Sequence, residues 1–463
     1  MCTHFSSIFF CFALHYTTNI INIIHEIVFI MEPFELESQK LPAWAVPSRA
    51  YARGCQRWLR ISIFSALTLA IIILLGLRSS HHERLPFEYF PQGPPMVHSK
   101  LVSEWQKEFP LDGPPLDPFT QSPKEGSPIY EKYDGRYLPW LAAVVIAPGD
   151  QKRREMIRSS WMELYRDVPF DGRFVIGNPT GELRESIMAE NRTHGDIIVL
   201  DDLRPNGFFA NSIKTLELYK WLVRNNKHYD FVSKIDSDAF LNARKFWDQY
   251  LEPRLPEYRK HQQPTSEVMN TVIGSITYSA YSDAAFTQGS FYTCSWDMVE
   301  TFAKLQDDHN VVIAEDVALS ILLHKGKTTS RIVHLGSAES YNYDERDTRG
   351  DGTAWARPET HLHSQDHAVY GAETVLVHKV KDDDKFLRVA DCFDSSGVKE
   401  RPPFTESDRQ TALPFSYRWF DFWYNMGISY IYHSRLDDVP AHYWQLKDGD
   451  WWIQDIWNFG PHR

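Results

Sequence analysis

The stretch Phe231-Val232-Ser233-Lys234-Ile235-Asp236-Ser237-Asp238-Ala239-Phe240-Leu241-Asn242 decides how the chain is read. An apolar run ends in two carboxylates separated by one small residue, and apolar residues resume at once. That pattern predicts a strand whose C-terminal end carries Asp236 and Asp238 out of the core. Ligands of open α/β sheets bind beyond that end. Carboxylates spaced i, i+2 offer hard oxygen donors to Mg²⁺ or Mn²⁺, and such an ion commonly bridges a protein to a diphosphate. Asp-Ser-Asp is equally good turn chemistry, so the setting has to decide between the two.

Upstream, Leu141-Ala142-Ala143-Val144-Val145-Ile146-Ala147 is an uninterrupted apolar run ending in Pro-Gly, as a strand buried on both faces requires. Lys152 to Tyr165 spaces Ile157, Trp161 and Leu164 helically, with Arg153, Arg154 and Arg158 near its start. Arg173 to Gly177 and Asp196 to Asp202 read as strands, with helical residues 181 to 190 between them. Asn211 or Ser212 is placed to cap a helix running to about Asn225, and the strand with the Asp pair follows directly. Alternating strands and helices predict an α/β fold, a mostly parallel sheet wrapped by helices. Further on, Val268 to Thr277 reads as a strand and Ser295 to Leu305 as a helix. Another helix opens at Glu315-Asp316-Val317, where two acids in the first turn are also simply good capping.

At 463 residues with a formal net charge of -12, the chain has no basic stripe to neutralise phosphates, which argues against nucleic acid as a partner. Ile61 to Leu77 carries no charge and is long enough to span a bilayer. Arg49, Arg53, Arg57 and Arg60 before it favour a cytoplasmic N-terminus, which predicts a single-pass membrane protein with its bulk outside the cytosol. The expected divisions are a cytoplasmic segment 1–57, of which 1–30 is a candidate upstream extension ahead of Met31, and a signal-anchor 58–78. A Pro/Gly-rich stem 79–135, a catalytic domain 136–380 and an aromatic-rich extension 381–463 follow.

Four features of the outer part stay open at this level. Cys294 and Cys392 can form a disulfide or remain two buried thiols. Asn191-Arg192-Thr193 is a glycosylation sequon. Lys381-Asp382-Asp383-Asp384-Lys385 reads as a solvated turn, and the later Trp and Tyr residues as a satellite core or a platform for sugar faces.

Taken in order, Arg153-Arg154-Glu155-Met156-Ile157-Arg158-Ser159-Ser160-Trp161, Phe174-Val175-Ile176-Gly177, Gly195 to Asp202, Asn211 to Leu216, Lys234 to Asn242 and Glu315-Asp316-Val317 resemble glycosyltransferase family 31, the β-1,3-galactosyltransferase and β-1,3-N-acetylglucosaminyltransferase group. The resemblance spans roughly residues 138 to 380. It implies a GT-A-like fold with a Rossmann-like sheet, a type II Golgi membrane protein, a UDP-sugar donor, Mn²⁺ or Mg²⁺, a glycan or glycoprotein acceptor and inversion at the anomeric carbon.

Carried across position by position, the resemblance makes Asp238 a metal ligand, sets Asp236 beside the nucleotide and the metal, and makes Asp316, with Glu315 beside it, the general base. His378 is the best match to a downstream histidine ligand, with His334 second. Arg158 and Lys214 are candidates for donor contacts, each with a plain ion-pair role as the alternative. Three departures bear on sugar specificity: Ser237 between the two acids, Ser320 in place of a glycine after the base, and Phe291 within Gly289-Ser290-Phe291-Tyr292. A glycan-binding protein without turnover and a nucleotide-sugar hydrolase are the competing functions.

Overall fold

The structure, a computed structural model, describes residues 138–203, 207–255, 269–358, 360–403, 419 and 435–461. The apolar segment 61–77, the stem and the expected N-terminal divisions lie outside these residues. Among the described residues no helix is long and apolar enough to cross a membrane.

The strands are β1 (Trp140–Val145), β2 (Phe170–Gly177), β3 (Ile197–Leu200), β4 (Phe231–Asp236), β5 (Phe240–Leu241), β6 (Thr271–Ser279), β7 (Ala284–Ser295), β8 (Ser330–His334), β9 (Ser340–Tyr343), β10 (Asp366–His367), β11 (Leu376–His378), β12 (Phe393–Asp394), β13 (Gly397–Val398), β14 (Trp444–Lys447), β15 (Asp450–Ile453) and β16 (Trp457–Gly460). The helices are α1 (Gln151–Ile157), α2 (Glu182–His194), α3 (Gly207–Arg224), α4 (Trp296–His309), α5 (Glu315–Gly326) and α6 (Asp383–Ala390). The helix expected from Asn211 thus begins earlier, at Gly207, and α1 passes into a π-helical turn at Arg158–Met162.

The main sheet runs β14-β15-β16-β8-β6-β7-β4-β1-β2-β3. β3, β2, β1 and β4 are parallel, joined by the helical crossovers that alternating elements demand. Beyond β4 the sheet turns mixed, because β7 runs antiparallel to both β4 and β6. β1 shows why the parallel block is buried on both faces. Trp140, Ala142 and Val144 enter one hydrophobic cluster, while Leu141 and Ala143 enter the other. A buried polar tie crosses this core: Trp140 Nε1 donates to Ser233 Oγ at 2.7 Å, and Ser233 lies 2.6 Å from Thr293 Oγ1.

The chain steps from β1 to β2 to β3 in one direction and then returns to place β4 on the other side of β1. The gap beyond the C-terminal ends of β1 and β4 is therefore the switch point where such sheets receive ligands. A second sheet, β10-β9-β11-β5, leaves the main one directly after the Asp pair. Antiparallel pairing of Val377 with Phe240, with Val380 N–H donating to Asp238 O at 3.0 Å, brings residues 376–380 back against residues 238–241.

The open features resolve as follows. Cys294 and Cys392 are both buried free thiols. Asn191 is buried in α2, and its Oδ1 accepts from the Ile197 N–H at 2.9 Å, so the sequon asparagine is spent on holding α2 to β3. Of the C-terminal aromatics, Trp457 is fully buried and donates from Nε1 to Ala285 O at 2.9 Å, and Trp444 packs edge-on to Trp451. These residues belong to β14–β16, which extend the main sheet through parallel pairing of β16 with β8. The aromatic residues from Phe420 to Tyr432 lie outside the described residues.

Candidate active site

Asp236 closes β4, and Asp238 follows in the turn leading to β5. His378, the last residue of β11, meets them from the second sheet. Its Nε2 is 3.3 Å from Asp238 Oδ1 and 3.8 Å from Asp236 Oδ2. One donor atom from each of the three lies within 4.8 Å of the others. Two carboxylate oxygens and an imidazole nitrogen converging on one point suit Mn²⁺ or Mg²⁺, with the remaining positions left for water and phosphate oxygens. Burial works to raise the Asp238 carboxyl, but His378 and Lys381 beside it outweigh burial and hold it below the ordinary aspartate value. The Asp is therefore ionised, as a metal ligand must be.

Lys234, whose importance the sequence did not reveal, ties this triad to the second acidic pair. Burial opposes its charge, yet Asp236 and Glu315 overcome it and raise the ammonium's pKa. Its Nζ lies 2.7 Å from Asp236 Oδ1 and 3.3 Å from Glu315 Oε2, and it donates to Gly289 O. Glu315 also accepts from the Tyr292 hydroxyl. Glu315 thus serves to seat Lys234, whereas the Asp316 carboxylate accepts from backbone, the Val317 N–H reaching its Oδ1 at 2.9 Å.

A helix N-terminus lowers a carboxylate's pKa and so weakens it as a base. At Asp316 burial is the larger effect, and with Glu315 adjacent it raises the carboxyl above its ordinary value. The backbone of β7 passes close to this acid. A Cβ added at Gly289 would stand 3.2 Å from Asp316 Cβ. The close approach is therefore made at Gly289, and Phe291 is buried edge-on against Phe246, at 4.8 Å between ring centroids. Ser320 likewise does not crowd the site, since it is buried and its Oγ donates to Ala285 O at 2.7 Å, fastening α5 to β7.

A cleft of about 1070 Å³ opens at this edge, lined by Gly149 and Asp150 after β1, by Asp236, Ser237 and Asp238, by His378 and by the segment from Lys379 to Lys385. The charged segment Lys381 to Lys385 is solvated as expected, but it opens α6 instead of forming a simple turn, and it makes one wall of the cleft. Asp383 holds it there through Lys152 at 2.7 Å and Arg153 at 3.0 Å.

Three other candidates fall differently. Arg158 lies away from the cleft lining: it bonds Asp196 at 2.7 and 2.9 Å and pairs with Glu190 at 2.7 Å, a buried network also holding Arg154. Its ion-pair role is the one the structure displays. Lys214 is buried with Nζ 3.2 Å from Ile146 O, and burial brings its amine down to about 8 while Glu315 and Asp236 act to raise it. His334 is half-buried at the end of β8, where its Nδ1 accepts the Ile276 N–H at 3.0 Å. Burial and Arg435 lower it to about 4, and it has no part in the triad.

Residues 152–333 match the family model described as Galactosyltransferase. Beta-1,3-galactosyltransferase 2 of Homo sapiens is 27% identical over 204 residues, 40% of this chain and 47% of that protein. The human acetylgalactosaminyl-O-glycosyl-glycoprotein beta-1,3-N-acetylglucosaminyltransferase is 29% identical over 213 residues, 39% of this chain and 54% of its own length. The chain thus spans about half the length of the curated relatives it matches. Among solved structures, galactosyltransferase LgtC in complex with donor and acceptor sugar analogs aligns with 60% of this chain and 99% of its own, at 13% identity and a TM-score of 0.32.

Proposed function

The chain carries a glycosyltransferase domain of the galactosyltransferase family, and from that premise we propose that it moves a hexose or N-acetylhexosamine, galactose favoured, from a UDP-sugar to a glycan hydroxyl, inverting the anomeric carbon and forming a β-1,3 linkage. What carries the reading is the convergence of Asp236, Asp238 and His378 at the switch point, joined through Lys234 to Glu315 and the neighbouring Asp316.

Asp236, Asp238 and His378 would hold a divalent cation, and the chemistry such an ion would supply there is Lewis-acid neutralisation of the charge that grows on a departing diphosphate. The protein's own residues do the rest. Asp316, with its raised pKa, takes the proton of the acceptor hydroxyl as that oxygen attacks. Lys234 fixes the distance between the two acidic groups, which in return hold its buried ammonium charged. Lys381 and Lys379 on the cleft wall are basic side chains available to an anionic donor, while Lys152 and Arg153 beside them pair with Asp383. The apolar segment 61–77, preceded by arginines, supports a single-pass anchorage with the catalytic part outside the cytosol, and the family resemblance implies that the membrane is that of the Golgi.

Turnover of a panel of UDP-sugars with Mn²⁺, with and without glycan acceptors ending in galactose or N-acetylgalactosamine, tests this reading. Acceptor-dependent UDP release and a new β-1,3 linkage are expected. UDP release that ignores the acceptor would make the chain a hydrolase, and glycan binding without any turnover would make it a binding protein.

A further inference from the structure

His378 reaches the acidic pair through two neighbours that none of the site's chemistry yet uses. Parallel pairing sets Asn342 of β9 beside His378 of β11 on one side and beside Asp366 of β10 on the other, so three adjacent strands carry the three side chains at one level. Asn342 is buried, only 5% exposed. Its Nδ2 donates to Asp366 Oδ1 at 2.7 Å, and its Oδ1 lies 2.8 Å from His378 Nδ1. Asp366 has a looser second partner, Lys379 Nζ at 3.8 Å.

A carboxylate can only accept, so Asp366 fixes which way the Asn342 amide faces. The amide oxygen it turns to His378 can also only accept, so Nδ1 must carry the proton. With Nδ1 engaged in this way, Nε2 is the nitrogen left facing Asp236 and Asp238 and the one from which a cation can take a lone pair. We propose that Asn342 and Asp366 are positioning residues: they lock the His378 tautomer and ring orientation so that Nε2 is preset to bind a cation with the acidic pair. The inference rests on the metal reading given above. Groups of this kind commonly change metal affinity 10–100-fold.

The test is Mn²⁺ affinity, read by electron paramagnetic resonance on the full chain as wild type, Asp238→Ala, Asn342→Ala and the exchange Asn342→Asp/Asp366→Asn. Asn342→Ala is expected to bind roughly 10–100-fold more weakly with its metal-free melting temperature retained. The exchange is expected to regain most of that loss, because a carboxylate at 342 still accepts from Nδ1 and an amide at 366 donates to it. Wild-type affinity in Asn342→Ala, or an exchange as weak as Asn342→Ala, overturns the relay.

Should Asn342→Ala fail to fold, ¹⁵N imidazole spectra of the Mg²⁺-loaded wild type, assigned by the signal lost in His378→Gln, decide instead. A proton on Nδ1 supports the relay and a proton on Nε2 overturns it. Equal Mn²⁺ binding by wild type and Asp238→Ala would overturn the metal centre itself, and the relay with it.

Discussion

Lys234 and Asp236 stand two residues apart on β4 with Nζ and Oδ1 2.7 Å apart, an ion pair whose lysine is almost wholly buried and also faces Glu315. Side chains two apart on a strand share a face, so the spacing Lys-Ile-Asp places both on one side of the sheet end. One ammonium thereby sets the separation between the Asp236–Asp238 pair and the start of α5, where Glu315 and Asp316 stand.

Removing that ammonium leaves two carboxylates in one poorly solvated place. Lys234→Met is expected to destabilise the fold by about 3–5 kcal/mol, the usual result of stranding a buried charge. Thermal unfolding checks this, and an unchanged melting temperature would mean that water replaces the lysine at no cost.

Asp316 has to be ionised to accept a proton, so kcat/KM should fall as pH drops through its raised pKa. Glu315 contributes to that rise through its charge. Glu315→Gln should therefore move the acid limb of the pH profile to lower pH, and Asp316→Asn should lose transfer on the order of 10²–10⁴-fold while keeping donor binding. A limb that moves upward in Glu315→Gln contradicts the assignment.

Gly289 leaves room for Asp316 and no more, with 3.2 Å from an added Cβ to Asp316 Cβ. Gly289→Ala should displace the carboxylate by a few tenths of an ångström and lower kcat, with Mn²⁺ affinity unchanged. Steady-state kinetics beside a metal titration separates the two effects.

Asp347 offers a test of the fold away from catalysis. It is buried, its Oδ2 has no hydrogen-bond partner among the described residues, and burial followed by the charge of Asp344 raises it to about 7. The native state then holds a proton that the unfolded chain releases near the ordinary aspartate value, so stability falls as pH rises from about 4 to about 7. Asp347→Asn should remove that decline and be the more stable form at pH 8, by an amount on the order of a few kcal/mol. Equal unfolding free energies at pH 8 would count against it.

How far the sequence could be read follows from which contacts are local. β1 and β4 were legible because strands buried on both faces need continuous apolar runs, and Asp236 and Asp238 because they interrupt one. Asp316 could be placed by its helix start and by the family resemblance. β7 was not legible: its polar Thr287, Gln288 and Ser290 break the apolar pattern, and its place between β4 and β6 depends on pairing no local signal encodes. Lys234 looked like an ordinary strand residue because its second acidic partner, Glu315, is supplied by tertiary structure. The same holds for Lys381 to Lys385, whose composition signals solvent although salt bridges to α1 make it a cleft wall. Arg158 shows the converse, a basic residue near a helix start whose partners, Glu190 and Asp196, could be identified only once α2 and β3 were packed beside it.

The central claim is that donor binding runs through a cation held by Asp238 and its two partners. Calorimetric titration of UDP into the full chain, with and without Mn²⁺, tests it most directly in wild type and Asp238→Ala. The account predicts tight binding by wild type only with Mn²⁺, and weak binding by Asp238→Ala in both conditions. Equal UDP affinity in the two proteins with Mn²⁺ present would contradict it.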